Sequence, residues 1–232
     1  MKYINITAFV LTGICFAGFV LTLSLSFAAG VILFAAFGIS GCLKRRHPEY
    51  VSDTKKNIQR LAAMLLAGAF FFQFPPLFIE SSFLWQYPFQ KMYTGLYRNV
   101  KEPDFFFDFR NDVQGDYCFE YLAAFMQGSG SYSVRFKTTP EIAAAYSGKF
   151  SPVSEYIIPL DKFNGLSDYT VTAADGSEGT ISVTIDEDFF GNSDSENTFV
   201  FILETNLNWN HPHTSAVIVD KTNGLIQLSR LG

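Results

Sequence analysis

Residues 3–43 read YINITAFVLTGICFAGFVLTLSLSFAAGVILFAAFGISGCL and contain no Asp, Glu, Lys, Arg or His. A membrane-spanning helix needs about 20 apolar residues, so this stretch is too long for one crossing. We therefore expect an apolar hairpin at 4–43, made of two transmembrane helices at about 4–21 and 27–43. Ser and Thr hydroxyls at 22–26 would satisfy the backbone groups of the turn, which lipid cannot do. A single longer crossing is the alternative.

Charge is distributed very unevenly along the rest of the chain. Residues 44–60 carry six cations and two acids, 61–79 carry no charge, and 80–232 carry ten cations and twenty acids. Short loops rich in Lys and Arg stay in the cytoplasm. We therefore expect a basic cytoplasmic loop at 44–60, a third transmembrane helix at 61–79 and an interfacial linker at 80–87. The chain is then a multi-pass protein of the cytoplasmic (plasma) membrane, with a cytoplasmic N-terminus and an extracytoplasmic domain at 88–232.

Aromatic residues follow the third predicted span closely. They are Phe83, Trp85, Tyr87 and Phe89. Trp and Tyr are enriched where a bilayer meets water, so we interpret Trp85 and Tyr87 as an interfacial belt. The alternative is that these side chains belong to the core of the following domain.

Two short patterns resemble processing signals. Ser26-Phe27-Ala28 has the small residues of a signal-peptidase site, but further apolar residues follow at once. Ile39-Ser40-Gly41-Cys42 resembles a bacterial lipobox, in which the Cys is acylated on the outer surface. The basic loop after it favours the inner surface. We therefore interpret Cys42 as a thiol at a helix end, with lipidation as the alternative.

Composition excludes several classes of protein. Of the 232 residues, 48% are hydrophobic and 17% are charged, against about 25% charged in an ordinary soluble domain. The 26 Phe and 11 Tyr exclude a disordered chain, and the net charge of −5 excludes a strongly basic nucleic-acid binder. The outer domain has one cysteine, Cys118, so it has no internal disulfide. We expect that thiol to be buried beside Phe119.

Helices are expected mainly in the first half of the outer domain. Apolar residues recur at helical spacing over 89–100. Thr139-Pro140-Glu141 is a typical helix start, and Gly148 is expected to end that helix. Residues 116–127 fit either a helix or a strand.

The remainder is dominated by alternating apolar and polar residues, a pattern typical of half-buried strands. Strands are expected at 132–136, 155–160, 169–173, 180–186, 198–204, 215–220 and 225–230. Pro159 favours a sheet edge for the second of these, whereas 198–204 is almost continuously apolar and is expected to be central. Asn223-Gly224 indicates a tight hairpin. The predicted fold is therefore membrane-anchored, with N-terminal transmembrane helices followed by an α+β domain that has a mainly antiparallel sheet.

One candidate site lies between two predicted strands. The candidate ligand-binding residues are Trp209, Asn210, His211 and His213, and the candidate metal ligands are His211, His213 and Glu204. Two imidazoles with a nearby acid are typical of a zinc site, and Asp220 is an alternative third ligand. The competing interpretation is an ordinary loop whose Trp covers the core.

Two acidic stretches admit more than one interpretation. Residues 186–197 match part of an EF-hand loop but lack its closing Glu and its flanking helices, so a solvated loop is favoured over an irregular calcium site. Residues 104–112 alternate Phe with polar residues, which predicts a strand with Asp108 and Arg110 as an exposed ion pair.

No catalytic residue and no cofactor is predicted, because the sequence lacks the common motifs for nucleophilic, metal-dependent or phosphate-binding catalysis. The leading hypothesis is a small multi-pass membrane protein that presents an acidic extracytoplasmic domain for ligand binding or assembly. One alternative is a membrane-tethered hydrolase or metal-dependent enzyme that uses His211 and His213. Another is an accessory subunit of a larger membrane complex. The expected partners are the lipid bilayer and, through the glycine-rich helices, a membrane protein; nucleic acid is not expected.

Overall fold

The structure, a computed structural model, divides into two units, Met1–Ile79 and Glu80–Gly232, and each is described by itself. It describes residues 2–45, 54–73, 78–97, 107–124, 130–163, 168–172, 178–193, 196–206 and 213–232.

The first unit contains two apolar helices at its N-terminus, as predicted. They are α1 (Lys2–Thr22) and α2 (Leu25–Arg45), followed by α3 (Thr54–Gln73). The break between α1 and α2 is narrower than the predicted turn, since only Leu23 and Ser24 separate them. Leu23 has a positive φ of 52°, which reverses the chain in two residues. The Thr22 hydroxyl accepts the Ser24 N–H at 3.2 Å and donates to the carbonyl of Gly18 at 2.8 Å.

Glycines allow α1 and α2 to pack closely. A Cβ added at Gly18 would lie 2.7 Å from the ring of Phe27, and one added at Gly38 would lie 2.9 Å from the ring of Phe9. Phe9 belongs to the first half of α1 and Gly38 to the second half of α2, so the helices run antiparallel. These glycines therefore serve contacts within the chain.

Two stretches of the described residues are long and apolar enough to cross a membrane, Ile4–Thr22 and Ser26–Leu43. A helix of 20 residues is about 30 Å long, which matches the hydrocarbon core of a bilayer. The apolar part of α3, Ile58–Gly68, is shorter.

The bounds of α3 differ from the predicted span at 61–79. The helix begins at Thr54 because Lys and Gln are good helix formers. Two prolines at 75–76 follow its last residue, Gln73, and favour its end. Arg60 ties α3 to α2 by donating to the carbonyl of Phe37 and, at 3.3 Å, to the hydroxyl of Ser40.

The second unit is an α+β domain with a mainly antiparallel sheet, as predicted. Its helices are α4 (Tyr87–Tyr97), α5 (Pro140–Phe150) and α6 (Glu187–Phe190). Its strands are β1 (Phe78–Ser81, on the boundary of the units), β2 (Tyr117–Leu122), β3 (Ser131–Lys137), β4 (Tyr156–Pro159), β5 (Asp168–Thr172), β6 (Glu178–Ser182), β7 (Thr198–Asn206), β8 (His213–Asp220) and β9 (Leu225–Leu231). Among the described residues, seven strands form one sheet in the order β1-β2-β3-β9-β8-β7-β4, while β5 and β6 form a separate hairpin.

Local signals located several elements correctly. Thr139 caps α5 by accepting the N–H of Ile142 at 3.3 Å. β4 is an edge strand, and β7 is flanked on both sides. Gly224 has a φ of +65° in the β8–β9 turn, and a Cβ there would collide with the carbonyl of Thr138, so only glycine fits.

Of the two structures that residues 116–127 fit, the strand is observed at 117–122, because these residues pair with β3 along their whole length. Two other predictions need correction. Gly148 does not end α5, which continues to Phe150. Residues 107–112 form no strand, and 109–112 form turns, because the carboxylates of Asp108 and Asp112 accept nearby backbone N–H groups. Residues 104–106 lie outside the described residues.

Candidate functional site

The strand registers place six side chains in one row across the sheet. The row runs Cys118, Arg135, Gln227, Ile218, Val200, Ile158. Because side chains alternate between the faces of a sheet, directly paired residues share a face. Three strands therefore contribute polar side chains to this face, and three contribute apolar ones.

The apolar half of the row is covered by the β5–β6 hairpin. Val171 and Ile181 of the hairpin are buried in one cluster with Val200, Ile218 and Ile158. The cover accounts for the burial of this part of the sheet.

Arg135 is the charged centre of the polar half. Its Nη1 lies 2.7 Å from Glu120 Oε1 and 2.7 Å from Asp186 Oδ2. Asp186 also accepts the N–H of Phe189 at 2.7 Å and so caps α6. Gln227, beside Arg135 in the row, accepts the Asp186 N–H at 3.0 Å. The predicted acidic loop at 186–197 therefore begins as a short helix fastened to the sheet.

A pocket of about 470 Å³ opens beside Arg135. It is lined by Glu80, Ser82, Leu84, Gly115, Asp116, Tyr117, Cys118, Arg135 and Phe189. Two lining carboxylates, Glu80 and Asp116, are exposed, whereas the charge of Arg135 is opposed by its two paired acids. The surroundings of the pocket are therefore net negative.

The thiol of Cys118 faces this pocket side of the sheet. Cys118 is buried, as predicted, but its side chain and that of Phe119 lie on opposite faces of the sheet because the two are consecutive residues of a strand. Burial raises the pKa of Cys118 and outweighs the opposing effect of the nearby Arg135 charge. The thiol is therefore neutral near pH 7. Burial acts to lower the pKa of Arg135, but the Cys118 thiolate, which forms only at high pH, and the Glu120 carboxylate raise it above its ordinary value.

The candidate metal ligands His213 and Glu204 are neighbours near the end of β7 and the start of β8. His213 Nε2 lies 3.7 Å from Glu204 Oε1. The buried Arg230 contacts His213 Nε2 and approaches Glu204 Oε2 at 3.5 Å. It also donates to the hydroxyl of Ser215 at 2.9 Å. Trp209, Asn210 and His211 lie outside the described residues.

A bulge in β7 creates this second cluster. Ile202 pairs with Ala216, whereas Glu204 pairs with Ser215, so the register shifts by one residue. The shift turns Glu204 to the same face as Ser215 and Arg230. A guanidinium between the His and the Glu opposes a metal cation. Within the ranges that the structure describes, no three His, Cys, Asp or Glu side chains are grouped to hold a metal ion.

No local motif marks Arg135 or Arg230 as a site residue. The alternation over 132–136 puts Arg135 on the polar face of its strand, and this is the sequence signal for it. Its partner Asp186 is far away in sequence, and only the strand order brings the two together. Comparison with protein-family models, with curated proteins and with solved structures found no match to this chain.

Proposed function

We propose that this chain is a membrane-anchored binding protein whose outer domain takes a small ligand with a protonated amine. The apolar N-terminal helices hold it in the plasma membrane, with a cytoplasmic N-terminus, α3 as a third crossing and the domain outside. The charge partition of the sequence supports this orientation, because the basic segment at 44–60 resists translocation.

The pocket beside Arg135 is the observation that carries the binding role. Its volume of about 470 Å³ lies within the range of small-molecule sites. Leu84 and Phe189 provide apolar wall, and Glu80 and Asp116 provide carboxylates. Because Arg135 is already engaged by two acids, the unengaged charge at the pocket is negative and favours a cation.

A ligand screen with the full chain in detergent tests the proposal. We expect mono- and polyamines, but not carboxylic acids of matched size, to raise the unfolding temperature, because binding to the folded state stabilises it. The double variant Glu80→Gln/Asp116→Asn should lose the response. The matched variant Asp168→Asn/Glu178→Gln, which neutralises two exposed acids of the β5–β6 hairpin, should keep it. Stabilisation by acids alone, or an unchanged response of the pocket variant, would contradict the proposal.

A further inference from the structure

The helix α4 has an unusual distribution of side chains. Trp85 in the preceding turn and Phe89, Met92 and Leu96 in the helix recur at spacings of four, three and four, so they form one stripe. Their side chains are 52%, 37%, 63% and 72% exposed, respectively. We call these four residues the α4 stripe.

The side of α4 that faces the domain combines aromatic and polar side chains, and Tyr87 and Tyr93 are buried on it. Gln86, Gln90 and Thr94 are almost fully buried. Gln86 Oε1 accepts the Ser81 hydroxyl at 2.5 Å and the Gln90 amide at 3.4 Å, and the Thr94 hydroxyl donates to the Gln90 carbonyl at 3.0 Å. Helices of soluble domains normally bury their apolar side. Here three polar and two aromatic side chains are buried, and a second apolar side, the stripe, lies outside.

The structure separates the two residues of the predicted interfacial belt, Trp85 and Tyr87. Tyr87 is buried and packs against the rings of Phe107 and Phe119, so it belongs to the core of the domain. Trp85 is exposed. Of the two residues interpreted as a belt, only Trp85 is available to a bilayer.

The segment that carries the stripe is less acidic than the rest of the domain. Residues 80–102 contain three cations and two acids, whereas 80–232 as a whole carries twice as many acids as cations. Trp, Phe and Leu on one side of a helix, combined with local positive charge, are typical of helices that lie in the interface of anionic membranes. The chain between the end of α3 and the stripe is short, since Gln73 and Trp85 are twelve residues apart, which spans at most about 40 Å.

We infer that the α4 stripe lies in the headgroup region of an anionic bilayer, so that the domain is held against the membrane surface. This inference rests on the proposed membrane anchoring, because the short connection keeps α4 close to the bilayer only if α3 crosses it. The occupant of the stripe is lipid rather than a second protein.

Tryptophan fluorescence of the reconstituted full chain tests the inference. The chain has two Trp, so Trp209→Phe leaves Trp85 as the single reporter. In vesicles that contain phosphatidylglycerol, we expect the emission of Trp85 to be blue-shifted. Lipids brominated near the headgroup should quench most of this emission, whereas aqueous iodide should quench little of it. Vesicles of phosphatidylcholine alone should give weaker quenching by brominated lipid. Met92→Glu should reduce that quenching, whereas Thr222→Glu should leave it unchanged.

Reference variants separate the possible failures. In a chain with Trp85→Phe and Trp209→Phe, Val10→Trp places the reporter in α1. If brominated lipid does not quench this reporter, the anchoring itself fails. If brominated lipid quenches the α1 reporter but not Trp85, the anchoring stands and the inference about the stripe is overturned. Quenching of Trp85 by iodide would then place it in water, and protection from both quenchers would indicate a protein contact.

Discussion

The guanidinium of Arg135 lies 2.7 Å from the carboxylate of Asp186, which fastens the start of α6 to the polar half of the sheet. One carboxylate thus serves two purposes, since it also caps α6. The pocket wall that contains Phe189 depends on this connection.

Removing the Asp186 side chain should destabilise the domain. We expect Asp186→Ala to lower the free energy of unfolding by about 2 kcal/mol, because it removes both a helix cap and a partner of a half-buried Arg. Asp186→Asn should cost less, since Asn is also a good cap. Denaturant unfolding measures both variants. An unchanged midpoint for Asp186→Ala, equal to that of the exposed neighbour Glu187→Ala, would contradict this role.

Asp220 should make the stability of the domain depend on pH. Burial acts to raise the pKa of Asp220, but hydrogen bonds from Asn223 and Thr222 outweigh it and lower the pKa. Because the pKa of Asp220 is lower in the folded state, its ionised carboxylate stabilises the fold fully at pH values above the unfolded-state pKa of about 3.9. This stabilisation is lost as the pH falls through the folded-state pKa. Unfolding of wild type and Asp220→Asn between about pH 6 and pH 2 tests this.

The stability difference between the two chains should shrink as the pH falls. A difference that grew with acid would contradict the sign. Asp161→Asn is the control, since Asp161 is exposed and pairs with Lys162 on the surface at 3.6 Å.

The contact between α1 and α2 should be sensitive to side-chain size at Gly38. We expect Gly38→Val to weaken the packing by about 1–3 kcal/mol, because its Cβ would press on the ring of Phe9. Gly13→Val is the matched control, as a Cβ there meets nothing within 4 Å. Thermal unfolding in detergent measures the difference. Equal effects of the two variants would show that the close approach is not required.

Zinc should not stabilise the protein through His213. We expect added Zn²⁺ to leave the unfolding temperature unchanged, because the Arg230 charge lies against both His213 and Glu204. A rise that disappears in His213→Ala would contradict this expectation and support the metal-dependent alternative. Asn206→Ala is a useful control, since Asn206 accepts the His213 N–H at 3.0 Å and contributes no charge.

The orientation of the chain can be tested by cysteine labelling. With the native cysteines replaced, we expect a membrane-impermeant maleimide to label Thr222→Cys but not Asn57→Cys in intact cells, because the basic segment remains inside. Both positions should be labelled after permeabilisation. Labelling of Asn57→Cys alone in intact cells would reverse the proposed topology.

Elements governed by local chemistry could be predicted from the sequence. The Asn223-Gly224 turn and the Thr139 cap need only neighbouring residues. The two apolar helices follow from a stretch without charge. By contrast, residues 116–127 fitted either a helix or a strand, and only pairing with β3 distinguishes the two.

The candidate site was predictable only in part. Glu204 and His213 are close in sequence and adjacent in the structure. Arg230 joins them because β9 pairs with β8 in a register that sets it against Ser215. The Arg135 pocket combines residues from distant segments, so no local pattern indicates it.

The bulge at Ile202–Glu204 has a consequence for the evolution of the domain. Because the ladder pairs Ile202 with Ala216 and Glu204 with Ser215, Leu203 is the additional residue, and its deletion would restore regular alternation while leaving the carboxylate on the side of Arg230. A lineage could therefore lose this one codon and keep the charged cluster. Deletion of a residue between Glu204 and His213 would not have this property.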